Sequence, residues 1–147
     1  MIKNIVVLVD FQDPKALVVA RASSLALAYH AKCWLIHVAA PEPDFMGYEP
    51  GPQYVRDERA RELRAEHVLL QKQKDWLTTF GVESEALLIQ GPVAETILTE
   101  AEKLHADLLV LGRHKHSTLH EWVIGSVGKE VIRRAEVPVV VVPIHRE

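Results

Sequence analysis

Apolar residues recur along this chain in two rhythms. Short aliphatic stretches occupy Ile5–Val9, Cys33–Ala40, Val82–Ile89, Ala106–Gly112 and Val137–Pro143. Stretches of this length, rich in β-branched residues, suit strands buried on both faces, as parallel strands are. Between them the apolar positions follow helical spacing. Val18, Ala22, Leu25 and Tyr29 mark one inward face. Leu63, Leu70 and Leu77 share a face of a long run from Arg56 to Phe80, with Leu69, Trp76 and Phe80 beside it. Ala94, Ile97, Leu98, Ala101 and Leu104 form a third face, and Val127, Val131 and Ile132 a fourth.

Boundary signals agree with this division. Asp13 is placed to cap a first helix with Pro14 at its first position, running to about His30. Gly81 stands where the second helix should end, and "QGPVAE" opens the third. Strict alternation of strand and helix predicts one domain over residues 1–147. It is an α/β, doubly wound, Rossmann-like fold with a five-stranded parallel sheet and helices on both faces. Ligands of such sheets sit beyond the carboxyl ends of the strands, at the point where strand order reverses. Asp10, the segment around Val38, and Gly112 onward meet there. The Pro/Gly-rich stretch from Pro41 to Gln53 is the one long irregular connection, and such loops tend to be functional or mobile.

Charge and cysteine content narrow the function. A net charge of -3 gives no electrostatic case for nucleic acid. The single cysteine, Cys33, excludes an internal disulfide and fits a reducing, cytoplasmic setting. The apolar N-terminal run is too short to span a bilayer and lacks a cleavage site, so it reads as a strand and the membrane is not a partner.

The candidate chemistry lies in "LGRHKHSTLHEWVIGSVGKE", Leu111 to Glu130. "GSVGKE" superficially suggests a P-loop, but the positions that motif requires hold Val123 and Glu130, and the run lies in a predicted helix. No Gly-x-Gly-x-x-Gly follows any strand. His114, His116 and His120 offer a weak metal pattern with no carboxylate suitably placed, and a polar loop accounts for them better. A different arrangement fits. Gly112 ends a strand, where backbone can approach a phosphate closely. Gly125-Ser126 opens or interrupts the fourth helix, and at a helix start it offers free N–H donors, a hydroxyl and the positive dipole end.

This pattern resembles the universal stress proteins. Their nucleotide-binding members carry Gly-x2-Gly-x9-Gly-(Ser/Thr) after the fourth strand, and this chain reads Gly112-x2-Lys115-x9-Gly125-Ser126-Val127. "VVLVDFQDP", "LIHVAAPEP", "QGPVAETIL", "ADLLVLGRH" and above all "GSVGKEVIRRAEVPVVVV" extend the likeness across nearly the whole chain. The resemblance implies an adenine nucleotide alpha hydrolase-like fold and a stress-response module binding ATP or a related adenine nucleotide, with Mg²⁺ or Mn²⁺ as a companion of a triphosphate. It implies that Asp10 meets the ribose or adenine and Val38 gives backbone contacts to adenine. Gly112 would start the phosphate loop, with Arg113 and Lys115 as cations near it. Gly125, Ser126 and Val127 would meet the phosphates.

Two departures stand out. Lys115 replaces the second glycine; at a positive φ it would cost on the order of 1 kcal/mol, whereas beside phosphates its charge is favourable. Gln12 stands where nucleotide-binding members often carry Ser. No general base or catalytic triad is visible, so hydrolysis ranks last. The rival reading is a nucleotide-free module acting through its dimer surface and an unidentified protein partner. Plainer readings also stand: Asp10 capping a turn, and Gly125 as a packing glycine. The last strand, "VPVVVVP", falls at a sheet edge, and a bare apolar edge is an aggregation hazard. The family's answer is a homodimer through this strand, here Val139, Val140, Val141 and Val142, bounded by Pro138 and Pro143.

Overall fold

The structure is a computed structural model and describes residues 1–39, 53–115, 122–123 and 125–144. The elements are β1 (Asn4–Leu8), α1 (Leu17–Tyr29), β2 (Lys32–Ala39), α2 (Gln53–Thr79), β3 (Ser84–Gln90), α3 (Val93–Lys103), β4 (Leu108–Lys115), β5 (Trp122–Val123), α4 (Ser126–Arg134) and β6 (Val139–Ile144). Five strands run parallel in the order β3-β2-β1-β4-β6. Alternate strand residues feed two cores. Ile5, Val7, Leu35, Val110 and Ile144 pack with Val18, Ala22, Leu70 and Leu77 of α1 and α2. Val6, Ile36, Val38, Leu109 and Leu111 pack with Ile97, Ala101 and Val131 of α3 and α4. The fold is therefore the doubly wound α/β sheet that the alternation predicts, with its switch point between the ends of β1 and β4. Cys33 lies within the first core, and burial pushes its thiol up to about 12, which makes it inert.

Three features differ from expectation. First, β4 does not end at Gly112 but continues to Lys115 and pairs antiparallel with the two-residue β5, His114 with Val123 and Lys115 with Trp122. His114 is also in register with Ile144 of β6. The two partners must take opposite edges of β4, so β5 lies on the β1 side, in line with β1 and beyond its end. Second, α1 begins at Leu17, not at Pro14. The Asp13 N–H bonds to the Asp10 carbonyl (3.2 Å), and the Ala16 N–H to the Asp13 carbonyl (3.1 Å). Ala16 then adopts a left-handed φ of 47°, which separates this turn from the helix. Asp13 still serves the helix end, because its Oδ2 accepts the Val18 N–H (3.0 Å). Third, some apolar residues on or beside the expected helix faces point out. Leu69, Trp76 and Ile132 are exposed because each lies one residue, about 100° of arc, from the buried stripe of Leu70, Leu77 and Val131. Phe80 and Tyr29 are exposed at the ends of their helices, where the chain turns into the next strand.

Candidate functional site

The carboxyl edge of the sheet is built around Asp10, two residues past the last paired residue of β1. Its Oδ1 accepts the Gln12 N–H at 2.8 Å, a local turn cap. The plain reading of this aspartate is thus realised, but it is not the whole account. The Asp10 Oδ2 also accepts the His114 Nε2–H at 2.7 Å, across 104 residues of sequence. This bond ties the end of β1 to the end of β4 over the switch point. The Asp10 side chain keeps 40% exposure, so the carboxylate still faces solvent.

Val38 lies in β2 with its side chain buried in the core under α3 and α4. Its backbone orientation follows from its neighbour Ile36, whose carbonyl accepts the Val9 N–H (2.8 Å) on the β1 side. Strand alternation points the Val38 N–H and C=O to that same side. The β1 ladder has already ended there at Leu8 and Ile36. The Val38 backbone therefore faces the gap beyond β1.

Along β4 the residues divide by role. Gly112 is not the start of a loop. A Cβ at this position would collide with Cδ1 of buried Ile144 and lie 3.0 Å from a methyl of Val18. Core packing by itself accounts for a glycine here. Arg113 is half-buried in β4, in register with Pro143. Lys115 sits in extended backbone paired with Trp122 and is not among the positive-φ residues. The strain anticipated for a lysine there does not arise, because the chain forms a strand where a glycine turn was expected.

α4 begins immediately after Gly125, which serves as its N-cap at φ −63° and ψ 170°. This conformation is open to any residue. Gly125 is exposed, and among the described residues a Cβ built on it meets nothing within 4 Å, so none of them gives it a packing role. The first helical bond runs from the Lys129 N–H to the Gly125 carbonyl (3.0 Å). That leaves the N–H groups of Ser126, Val127 and Gly128 ahead of it without helical partners. The N-cap glycine has no side chain with which to cap them. Ser126 is exposed, while Val127 packs inward against the α3/α4 core and anchors the turn. The positive end of the helix dipole coincides with these donors.

Two polar residues at this edge escape a linear reading. His37, on the α1/α2 face of β2, places Nδ1 3.0 Å from the Val9 carbonyl. Its Nε2 lies 3.4 Å from Glu66 of α2, and Phe11 stacks on its ring. A histidine inside an apolar strand was the available signal. His114 is the other, and its Nε2 is bonded to the Asp10 carboxylate. His116, His120 and the irregular stretch 40–52 lie outside the described residues. Among the described residues no three His, Cys, Asp or Glu side chains are grouped to hold a metal ion.

Comparison with known proteins bears on this edge. The model of the universal stress protein family matches residues 1–143. A curated universal stress protein of Thermus aquaticus is 34% identical over 145 residues, covering 97% of this chain and 99% of that one. Among solved structures, the universal stress protein UspA of Lactobacillus plantarum superposes with a TM-score of 0.79 at 20% identity, over 95% of this chain and 97% of that one. A universal stress protein family member from Arabidopsis thaliana, solved with AMP bound, has a TM-score of 0.61 at 21% identity, over 96% and 91% of the two chains.

Proposed function

This chain belongs to the universal stress protein family, whose model covers residues 1–143, and from that premise we propose that it is a regulatory module binding ATP or a related adenine nucleotide at the carboxyl edge of its sheet. The observation that carries this reading is Gly125. Gly81 and Gly91 have φ of 79° and 154°, and Gly112 yields its Cβ space to Ile144. Each of those glycines has a reason within the protein. At Gly125 the described residues supply neither a backbone nor a packing reason. A missing side chain beside bare helix N–H groups suits close approach by an external anion.

In this reading the N–H groups of Ser126 and Val127 and the Ser126 hydroxyl hold the phosphates, with Arg113 and Lys115 as nearby cations. The Asp10 carboxylate takes a ribose hydroxyl, and the Val38 backbone meets adenine. The AMP bound to a structural neighbour supports the ligand class. A divalent ion accompanying a triphosphate would draw its ligands from phosphate and water, because the described residues offer no donor cluster. Binding then favours whichever conformation or assembly holds the nucleotide best.

The assembly we propose is a homodimer through the outer edge of β6. The Pro138 carbonyl accepts the Leu109 N–H on the β4 side, so alternation turns the N–H and C=O of Val139 and Val141 outward. Leu17, Ala20, Arg21, Ser24, Val142 and Pro143 line a groove beside that edge. The setting is cytoplasmic in this reading. No helix among the described residues is long and apolar enough to cross a membrane.

The test is calorimetric titration of nucleotide-stripped protein with ATP and AMP. Saturable binding in the wild type, weakened at least about tenfold in Gly125→Val with an unchanged unfolding midpoint, supports the site. No heat from either nucleotide would refute it. A second reading, a nucleotide-free interaction module, draws support from the β4–β5 pairing that runs through Lys115. Recovery of binding only in Lys115→Gly would favour it.

A further inference from the structure

We infer that His114 is a positioning residue that fixes the Asp10 carboxylate for the ribose, an inference that rests on the nucleotide reading above. Asp10 is held by one donor on each oxygen, the Gln12 N–H on Oδ1 at 2.8 Å and the His114 Nε2–H on Oδ2 at 2.7 Å. The two donors come from different parts of the fold, the turn after β1 and the end of β4. Together they fix both torsions of the side chain. A carboxylate oxygen accepts more than one hydrogen bond, and the group remains 40% exposed. Capacity for a ligand hydroxyl therefore survives, now in a set orientation.

His114 is itself held rigidly. Its backbone is paired with Val123 on one edge and Ile144 on the other. An ionised carboxylate only accepts, so the proton facing Asp10 sits on Nε2. The other ring nitrogen, Nδ1, is buried and has no hydrogen-bond partner among the described residues. Among the described residues the Asp10 bond is therefore the hydrogen bond that orients this imidazole. An unsatisfied buried nitrogen is unfavourable and calls for an explanation. Preorganisation of Asp10 supplies one, since a site residue held before binding loses less freedom on binding.

The experiment measures AMP and 2′,3′-dideoxy-AMP binding to the full chain by calorimetry, in wild type, His114→Ala, His114→Gln, Asp10→Ala and the His114→Ala/Asp10→Ala double variant. His114→Ala should weaken AMP about tenfold, the equivalent of losing one charge-assisted orientation. It should leave dideoxy-AMP unchanged and add nothing in the Asp10→Ala background. His114→Gln, which restores an N–H donor at similar reach, should recover most of the loss. Equal losses for both ligands, or in both backgrounds, would assign His114 a merely structural role. Tighter AMP binding in His114→Ala would make the pair a barrier and overturn the inference. Absence of AMP binding by the wild type would sink the nucleotide reading, and this inference with it. A His114→Ala protein that binds AMP as the wild type does would sink the inference alone.

Discussion

Gly112→Ala tests whether this glycine belongs to the core or to the ligand. The added methyl would overlap Cδ1 of Ile144 and lie 3.0 Å from Val18 Cγ2 and 3.1 Å from Ile144 Cγ1. Ile144 and Val18 are almost wholly buried, so neither yields without disturbing its own packing. Overpacking of this kind costs about 1–3 kcal/mol. Relief of glycine's excess backbone entropy in a strand offsets about 0.5–1 kcal/mol. The net loss should be about 1–2 kcal/mol, a fall of roughly 2–8 °C in Tm for a domain of this size. Ile144→Val alone removes the offending Cδ1 and should cost about 1 kcal/mol. Combined, the new methyl occupies the vacated space, so the double variant should be about 1 kcal/mol more stable than the sum of the single losses. Urea unfolding measures all three. Since the phosphate contacts proposed here lie at Gly125 to Val127, the double variant should also keep wild-type nucleotide affinity. Strict additivity, or a Gly112→Ala midpoint equal to wild type, would refute the packing account. Loss of nucleotide binding in a double variant of normal stability would return Gly112 to the phosphate loop.

The other predictions concern the sheet's two ends. The backbone N–H groups of Lys3 and Asn4 bond the Asp107 carboxylate and hold it below the usual carboxylate range. A depressed folded value stabilises the protein above the unfolded pKa, about 3.9, and that contribution is lost as pH falls through the folded value. Asp107→Asn should therefore cost about 1 kcal/mol at pH 7, after discounting for solvent screening. Its gap from wild type should narrow as pH falls below the unfolded pKa, about 3.9, and close once Asp107 is protonated in the folded state too; a gap independent of pH would contradict the linkage. At the opposite edge, Val141→Pro removes an outward N–H while leaving the β4 ladder intact. If the wild type pairs through β6 as proposed, sedimentation should show a dimer for it and a folded monomer for Val141→Pro. A wild-type monomer at micromolar concentration, or a Val141→Pro dimer, would count against β6 pairing.

The order of elements was legible because strands buried on both faces and helices with one apolar face leave different periods in the sequence. Their ends were less legible. Pro14 satisfies every local rule for starting α1, yet the bonds from Asp13 to Asp10 and from Ala16 to Asp13 form a turn that delays it. β5 could not be anticipated either, since Trp122 and Val123 form a strand only because His114 and Lys115 are there to pair with. His114 itself read as one of the polar residues of a loop. Its partner Asp10 is 104 residues away, and no local pattern encodes a contact at that distance.

The two glycines of the phosphate pattern illustrate the same limit more sharply. In sequence Gly112 and Gly125 look alike, each at the end of an element on the ligand edge. In space they differ in what occupies the place of the missing Cβ. At Gly112 it is Ile144, a residue of the last strand, whereas at Gly125 nothing within the described protein fills it. The spacing between them therefore serves two unlike demands. One lets β6 and α1 close over the end of β4, and the other leaves α4's first N–H groups open. Only the second demand points outside the molecule. A chain could thus keep Gly112 for stability alone after losing its ligand, and Gly125 is the position whose side chain should report whether a nucleotide is still bound.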